Sequence, residues 1–284
     1  MSSFLRSLWT AARRDKAAML GGVIITMFIM LAVFGPLIAH LNPTPSGANA
    51  YRGPSIRDPL GTDALGQNVL AEIVLGTRPV MEIGLLAALL TVSVGVVIGL
   101  VTGYVGGVLD SVVMRITDVF LTIPGLPLII VIASLVQSSN PLVLALILSV
   151  TAWAGLARAV RSQALSLRSS DFLEAARLQG LPLHDVVIRQ LLPNVGPYVA
   201  IHFLLDVTGA IYAEVGLFLL GIAPVSGTNW GEMINVAMSQ GALFTTRSMY
   251  SLLAPMAAIV ILQVAFVFFA RALDVVFNPR LQSQ

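Results

Sequence analysis

The chain has no cysteine among its 284 residues, one lysine (Lys16) and three histidines, and only 11% of it is charged. Without cysteine there are no disulfides, no iron–sulfur clusters and no cysteine-ligated zinc, although this leaves the compartment undecided. Lys16 follows Asp15 rather than glycine, so the G-x-x-x-x-G-K-[ST] loop that cradles nucleotide phosphates is absent. His40, His184 and His202 fit no H-E-x-x-H or other metal-ligand spacing and read as solitary surface or packing residues. No G-x-S-x-G nucleophile elbow is present. A formal net charge of +2 gives no basic footprint for nucleic acid.

What fills the chain instead is apolar. Hydrophobic residues make up 57%, against roughly 45–50% in soluble domains, and the mean hydropathy is +0.90. They come in long runs, and a spanning helix needs about 20 such residues. About six runs qualify: Ala17 to Ala39, Val80 to Tyr104, Val112 to Val136, Leu142 to Leu156, Tyr198 to Ile222 and Leu252 to Ala270. The expected fold is therefore an all-α integral membrane protein. The first run follows Arg6, Arg13, Arg14 and Lys16 but leads into "FGPLIAHLNP", which has no A-x-A cleavage pattern, so it reads as an uncleaved anchor.

Orientation follows from the loop arginines, because positive loops stay in the cytoplasm. With the N-terminus inside, Arg115, Arg158, Arg161, Arg168, Arg177, Arg189, Arg271 and Arg280 join the basic head on the inner side, and only Arg52, Arg57, Arg78 and Arg247 fall outside. The expected layout is a cytoplasmic N-terminus at 1–16, a first span at 17–39, an outer loop at 40–79, a core of about five spans at 80–272 and a cytoplasmic tail at 273–284. The last outer connection carries a predicted short helix from Trp230 to Met238.

Residues 162–197 interrupt the core with the densest run of charge. Asp171 is read as an N-cap with Glu174 returning the bond, as in a capping box. Gly180 suits a helix C-terminus, Pro182 suits the start of the next helix, and Pro193 is expected to end it. Leu183, Val186, Val187 and Leu191 share the apolar face between. Asp118 lies inside the third predicted span, and Asp206 and Glu214 inside the fifth. Asp118 has Arg115 one turn away as a partner. Asp206 and Glu214 read equally as part of a polar translocation pathway or as structural partners of a neighbouring helix. Eight residues, roughly 12 Å at 1.5 Å rise, separate them, too far for joint catalysis.

"Glu174-Ala175-Ala176", Gly180 after three intervening residues, and "Leu192-Pro193" later resemble the EAA loop of permease subunits of prokaryotic ATP-binding-cassette importers. "DPLGTDALGQNVLAEIVLGTR", "GYVGGVLDSVVMRITDVFLTIPGLPL", "LLPNVGPY", "NWGEM" and the terminal "NPR" are similar to the dipeptide/oligopeptide/nickel permease group, and to the second of its paired permeases. Gln190 departs from the group, where that position is often histidine. The resemblance implies the type I importer permease fold, with Glu174, Ala175, Ala176, Arg177, Gly180, Leu181, Pro182, Leu183, His184, Leu192 and Pro193 forming a cytoplasmic coupling loop. Glu174 caps its own helix, pairs with the ATPase, or both.

It also implies partners: a homologous second permease, one or two cytoplasmic ATPase subunits holding ATP and magnesium, and an extracytoplasmic substrate-binding protein. The chain would then be no enzyme and carry no cofactor of its own, as one half of a peptide-import path in the cytoplasmic membrane. The alternative that the resemblance leaves open is the same machinery importing oligosaccharides or nickel. A stand-alone secondary carrier would be expected to show internal repeats, and none is evident.

Overall fold

In the computed structural model the described residues are 16–40, 49–224, 227–244 and 248–277. The basic head at Arg6, Arg13 and Arg14, and the tail from residue 278 on, lie outside them. All regular structure among the described residues is helical.

Helix α1 (Lys16–Ile38) matches the first expected span. Helix α2 (Val69–Val105) begins eleven residues before the expected Val80, inside the segment read as outer loop. Glu72 and Arg78 broke the apolar run there, but a local cap starts the helix: Asn68 Oδ1 accepts from the Ala71 N–H at 3.0 Å. The segment before it is ordered by its own polar groups. The Thr62 hydroxyl donates to the Asn49 carbonyl at 2.6 Å, and Asp63 Oδ1 accepts from the Leu65 and Gln67 N–H groups.

The third expected span, Val112 to Val136, is two helices, α3 (Gly107–Thr122) and α4 (Gly125–Val136), bent by 83°. Pro124 explains the break. Its ring pushes the preceding residue out of helical geometry, and Ile123 is extended at φ −77°, ψ 126°.

The fourth span is longer than Leu142 to Leu156: α5 (Pro141–Leu167) adds about three turns that contain Arg158 and Arg161. Each arginine meets a carboxylate of α3. Arg158 pairs with Asp118, and Arg161 grips Asp110 with Nη2 to Oδ2 at 2.6 Å. Asp118 therefore pairs across helices rather than with Arg115 on its own. Charge that ended the run in sequence is neutralised in space.

Helix α6 (Asp171–Leu178) has Ser170 as its N-cap, with Asp171 already its first residue. Ser170 caps by backbone only: its Oγ donates to the Leu167 carbonyl at 2.6 Å, so no capping box forms. Helix α7 then runs unbroken from Leu183 to Leu219, and Pro193 does not end it. Residues Val186–Leu191 wind as a π-helix. That wider turn just ahead of Pro193 relieves the clash a proline ring makes with the carbonyl four residues back. Asn194 Nδ2 donates to the Gln190 carbonyl at 2.6 Å in the same turn.

Helix α8 (Trp230–Ser239) matches the expected short helix, and α9 (Met249–Phe277) is the last span. Five helices, α1, α2, α5, α7 and α9, are long and apolar enough to cross a membrane, and the bent α3–α4 pair makes a sixth.

Close packing defines two ends of the bundle. At one, fully buried Trp230 packs edge-on to Phe28, donates from Nε1 to the Ile73 carbonyl at 3.0 Å and sits where a Cβ on Gly76 would be, 2.9 Å away. At the other, α6 lies against the ends of α2 and α5. Between them Gly95, Gly99 and Gly103 let α2 meet the backbone of α5: a Cβ on Gly99 would stand 2.6 Å from the Ala157 carbonyl oxygen. Such spacing of small residues is how membrane helices gain close contact when lipid supplies no hydrophobic drive.

Candidate functional site

Two features carry functional chemistry: the α6–α7 elbow at one end of the bundle and a cavity beside α7 in its middle.

The elbow is held from beneath. Leu173 and Ala176 of α6 are buried with Val186 and Leu191 of α7 in a cluster that includes Leu100 of α2 and Val160 of α5. The turn after α6 is a Schellman motif: the Gly180 N–H donates to the Arg177 carbonyl at 3.0 Å and the Leu181 N–H to the Ala176 carbonyl at 3.1 Å. It requires a left-handed residue, and Gly180 sits at φ +65°, where a side chain would be strained. Leu181 tucks against the cluster. Pro182 is the N-cap of α7 rather than its first residue.

The outer surface of the elbow is exposed. Glu174, Ala175, Arg177, Gly180, Pro182, Leu183, His184 and Pro193 face outward, while Ala176 is buried and Leu192 half-buried. Leu183 thus leaves the apolar face on which its spacing had put it. Leu178, which the motif did not single out, is 85% exposed, and Ile188 is exposed too. Among the described residues the Glu174 carboxylate has no hydrogen-bond or ion-pair partner. Arg177 lies over the Tyr104 ring, 5.3 Å from its centre, which ties the elbow to the end of α2 by a cation–π contact. Arg189 Nε and Asp185 Oδ1 are 3.3 Å apart, one turn along α7.

The cavity, about 390 Å³, lies among α2, α4, α5 and α7. Asp206 lines it with Thr91, Thr151 and Tyr212, and glycine, alanine, leucine and isoleucine form the rest. The Asp206 Oδ2 is buried and unpartnered. Glu214 is elsewhere. It is buried, and its Oε1 accepts from Asn229 Nδ2 at 2.7 Å, while Asn229 Oδ1 caps α8 by accepting from the Gly231 N–H. The two carboxylates weighed together in sequence thus belong to different surroundings, and Glu214 has the structural partner.

A further cavity of about 210 Å³ at the Trp230 end brings Asp63, Glu72 and Glu232 together. Burial pushes the Asp63 and Glu232 carboxyls above their ordinary range. No spacing rule links residues 63 and 232, so only the fold reveals this cluster. Among the described residues no group of three or more His, Cys, Asp or Glu could hold a metal ion.

Comparison with known proteins fits this architecture. The model of the family "N-terminal TM domain of oligopeptide transport permease C" matches residues 3–54. The oligopeptide transport system permease protein OppC of Bacillus subtilis (strain 168) is 29% identical over 233 residues, 80% of this chain and 76% of that protein. The dipeptide transport system permease protein DppC of the same organism is 30% identical over 239 residues, 82% of this chain and 73% of that protein. DppC of Alkalihalophilus pseudofirmus is 29% identical over 286 residues, covering 98% of this chain and 90% of that protein. The model of the family "Binding-protein-dependent transport system inner membrane component" matches residues 95–283, elbow and cavity-lining helix α7 included. This multi-pass membrane protein belongs to that family of transport permeases, the inner membrane components of binding-protein-dependent transport systems.

Proposed function

We propose that the chain is one of two permease subunits of an ATP-driven importer of di- and oligopeptides, driven through its elbow by cytoplasmic ATPase subunits. The observation that carries the coupling role is an exposed knob on a buried footing: Leu178, Leu183 and Ile188 are uncovered while Leu173, Ala176, Val186 and Leu191 anchor them to the bundle. The names of its relatives, oligopeptide and dipeptide permeases, support the substrate class.

In this reading the elbow seats in a groove of the ATPase. Glu174 and Arg177 supply charged contacts at its base, and closure of the ATPase pair displaces it. Helix α7 continues from the elbow without a break, so the displacement reaches the Asp206 cavity along one continuous helix. The excess of arginine at the elbow end supports a cytoplasmic elbow and cytoplasmic termini. An extracytoplasmic binding protein would deliver substrate to the Trp230 end.

The test compares Gly180→Asp and Glu174→Lys in the assembled transporter, expressed in cells without peptide permeases of their own. The first substitution strains the left-handed turn; the second reverses the unpaired charge. Both should insert normally, lose uptake of labelled trialanine and uncouple ATP hydrolysis from it. Normal uptake with normal ATPase stimulation in both variants would sink the coupling role.

A further inference from the structure

The transmembrane carboxylates are treated unequally. Asp110 and Asp118 each have an arginine on α5, and Glu214 has Asn229. Asp206 Oδ2 and Glu214 Oε2 are both buried without a partner, but of these two only Asp206 lines the cavity among α2, α4, α5 and α7. A charged group in a low-dielectric setting is costly unless it meets an opposite charge or an acceptor's complement. No cationic side chain lines this cavity, so any opposite charge that Asp206 meets there comes from outside the chain.

The geometry points to an ammonium-binding subsite: Asp206 anchors a primary ammonium group of the transported molecule inside the cavity. This rests on the reading that α7 borders the translocation pathway. The surroundings suit an ammonium better than a metal ion. Calcium takes six to eight oxygens and magnesium near-ideal octahedral geometry, and one carboxylate with two threonines falls short. An ammonium has three donors, and Asp206, Thr91 and Thr151 bring a carboxylate and two hydroxyls to one cavity. Tyr212 adds an aromatic ring to the same wall, a further attraction for a cation. The volume, about 390 Å³, lies at the small end of ligand pockets, which suits one end of a peptide rather than the whole of it. Below Asp206 the same face of α7 carries His202 and Tyr198, rings 4.3 Å apart, and leads to the elbow.

The absence of cysteine makes the test clean. Gly209 lines the cavity one turn from Asp206, and a Cβ there would meet nothing within 4 Å, so Gly209→Cys introduces this chain's sole thiol without a clash. In the assembled transporter, the labelling rate of this subunit is measured with 2-aminoethyl methanethiosulfonate, a primary ammonium, and with its anionic sulfonatoethyl counterpart. Each rate is normalised to a free thiol. The ammonium reagent should be favoured by on the order of tenfold or more, as expected for a charge a few ångströms away in a partly dry site. Adding Asp206→Asn should abolish the preference, and Asp206→Glu should keep it. A preference absent from the parent, or unchanged in Asp206→Asn, overturns the subsite. Trialanine uptake by the wild-type transporter is read in parallel. If it fails, the peptide reading falls, while the labelling ratio still decides the subsite.

Discussion

The α2–α5 seam and the α3–α4 limb both belong to the membrane core, yet they are built by opposite means. Along the seam Gly95, Gly99 and Gly103 bring backbone against backbone, and Ala157, Val160 and Ala164 are fully buried there. The limb turns through 83° at Pro124 and leaves Val108, Val119 and Leu135 uncovered. Its α3 half is tied to α5 by two arginine–aspartate pairs. The seam is a steric fit, which tolerates no added atom; the limb is an electrostatic tether, which tolerates rotation about its contacts. In lipid the limb's bare apolar face costs little, so this chain can leave it unfilled.

The sharpest way to break the contrast is to add volume on the seam. Gly99→Leu would place a Cβ 2.6 Å from the Ala157 carbonyl oxygen and 2.7 Å from the Val160 Cβ, and the side chain beyond it has no room. Overpacking of this kind costs about 3 kcal/mol or more when backbone must move. Thermal unfolding of the purified subunit in detergent should show a large fall in midpoint. Gly155→Ala, where a Cβ meets nothing within 4 Å, serves as the control and should match or slightly exceed the wild type. Equal losses in both would mean that the seam is not a steric fit.

The tether predicts a smaller, partly recoverable loss. Arg161→Ala leaves Asp110, only 9% exposed, without its ion-pair partner. Removing one member of a buried pair is more damaging than removing both, and with Arg161 itself partly exposed the expected cost is about 2 kcal/mol. Asp110→Asn added to Arg161→Ala should restore part of the stability by removing the stranded charge. A double variant no more stable than Arg161→Ala would show that the pair contributes by packing rather than by charge.

These two constructions were not equally legible in the sequence. Apolar runs placed six spans because burial in lipid is a property of composition over about 20 residues. The seam's glycines carry no such signal, since their role depends on what lies opposite. Helix limits failed where charge entered a span: Glu72 and Arg78 hid the start of α2, and Arg158 and Arg161 hid the end of α5, because their partners lie 40 and 51 residues away in the chain for the two arginines of α5. Of the elbow, Gly180 was readable from local backbone chemistry alone. Pro193 was not, because the π-turn that accommodates it has no sequence rule. Asp206 and Glu214 looked alike in sequence; only the fold gives one a partner and the other a cavity.

The smallest effect separates the two tethers from each other. Asp118 and Arg158 have side chains 58% and 54% exposed, against 12% and 28% for Asp110 and Arg161. An exposed pair contributes about 0–1 kcal/mol, so Arg158→Ala should shift the unfolding midpoint of the isolated subunit far less than Arg161→Ala. The two arginines stand three residues apart on α5, on nearly the same face, and grip α3 two turns apart. Loss of the inner tether should loosen the whole of α3, whereas loss of the outer one should free only its Pro124 end. Hydrogen exchange along residues 107–122 reads the difference: Arg161→Ala should raise exchange throughout, and Arg158→Ala only toward Thr122. Uniform exchange in both variants would mean that the limb moves as one piece and that its hinge is not at Pro124.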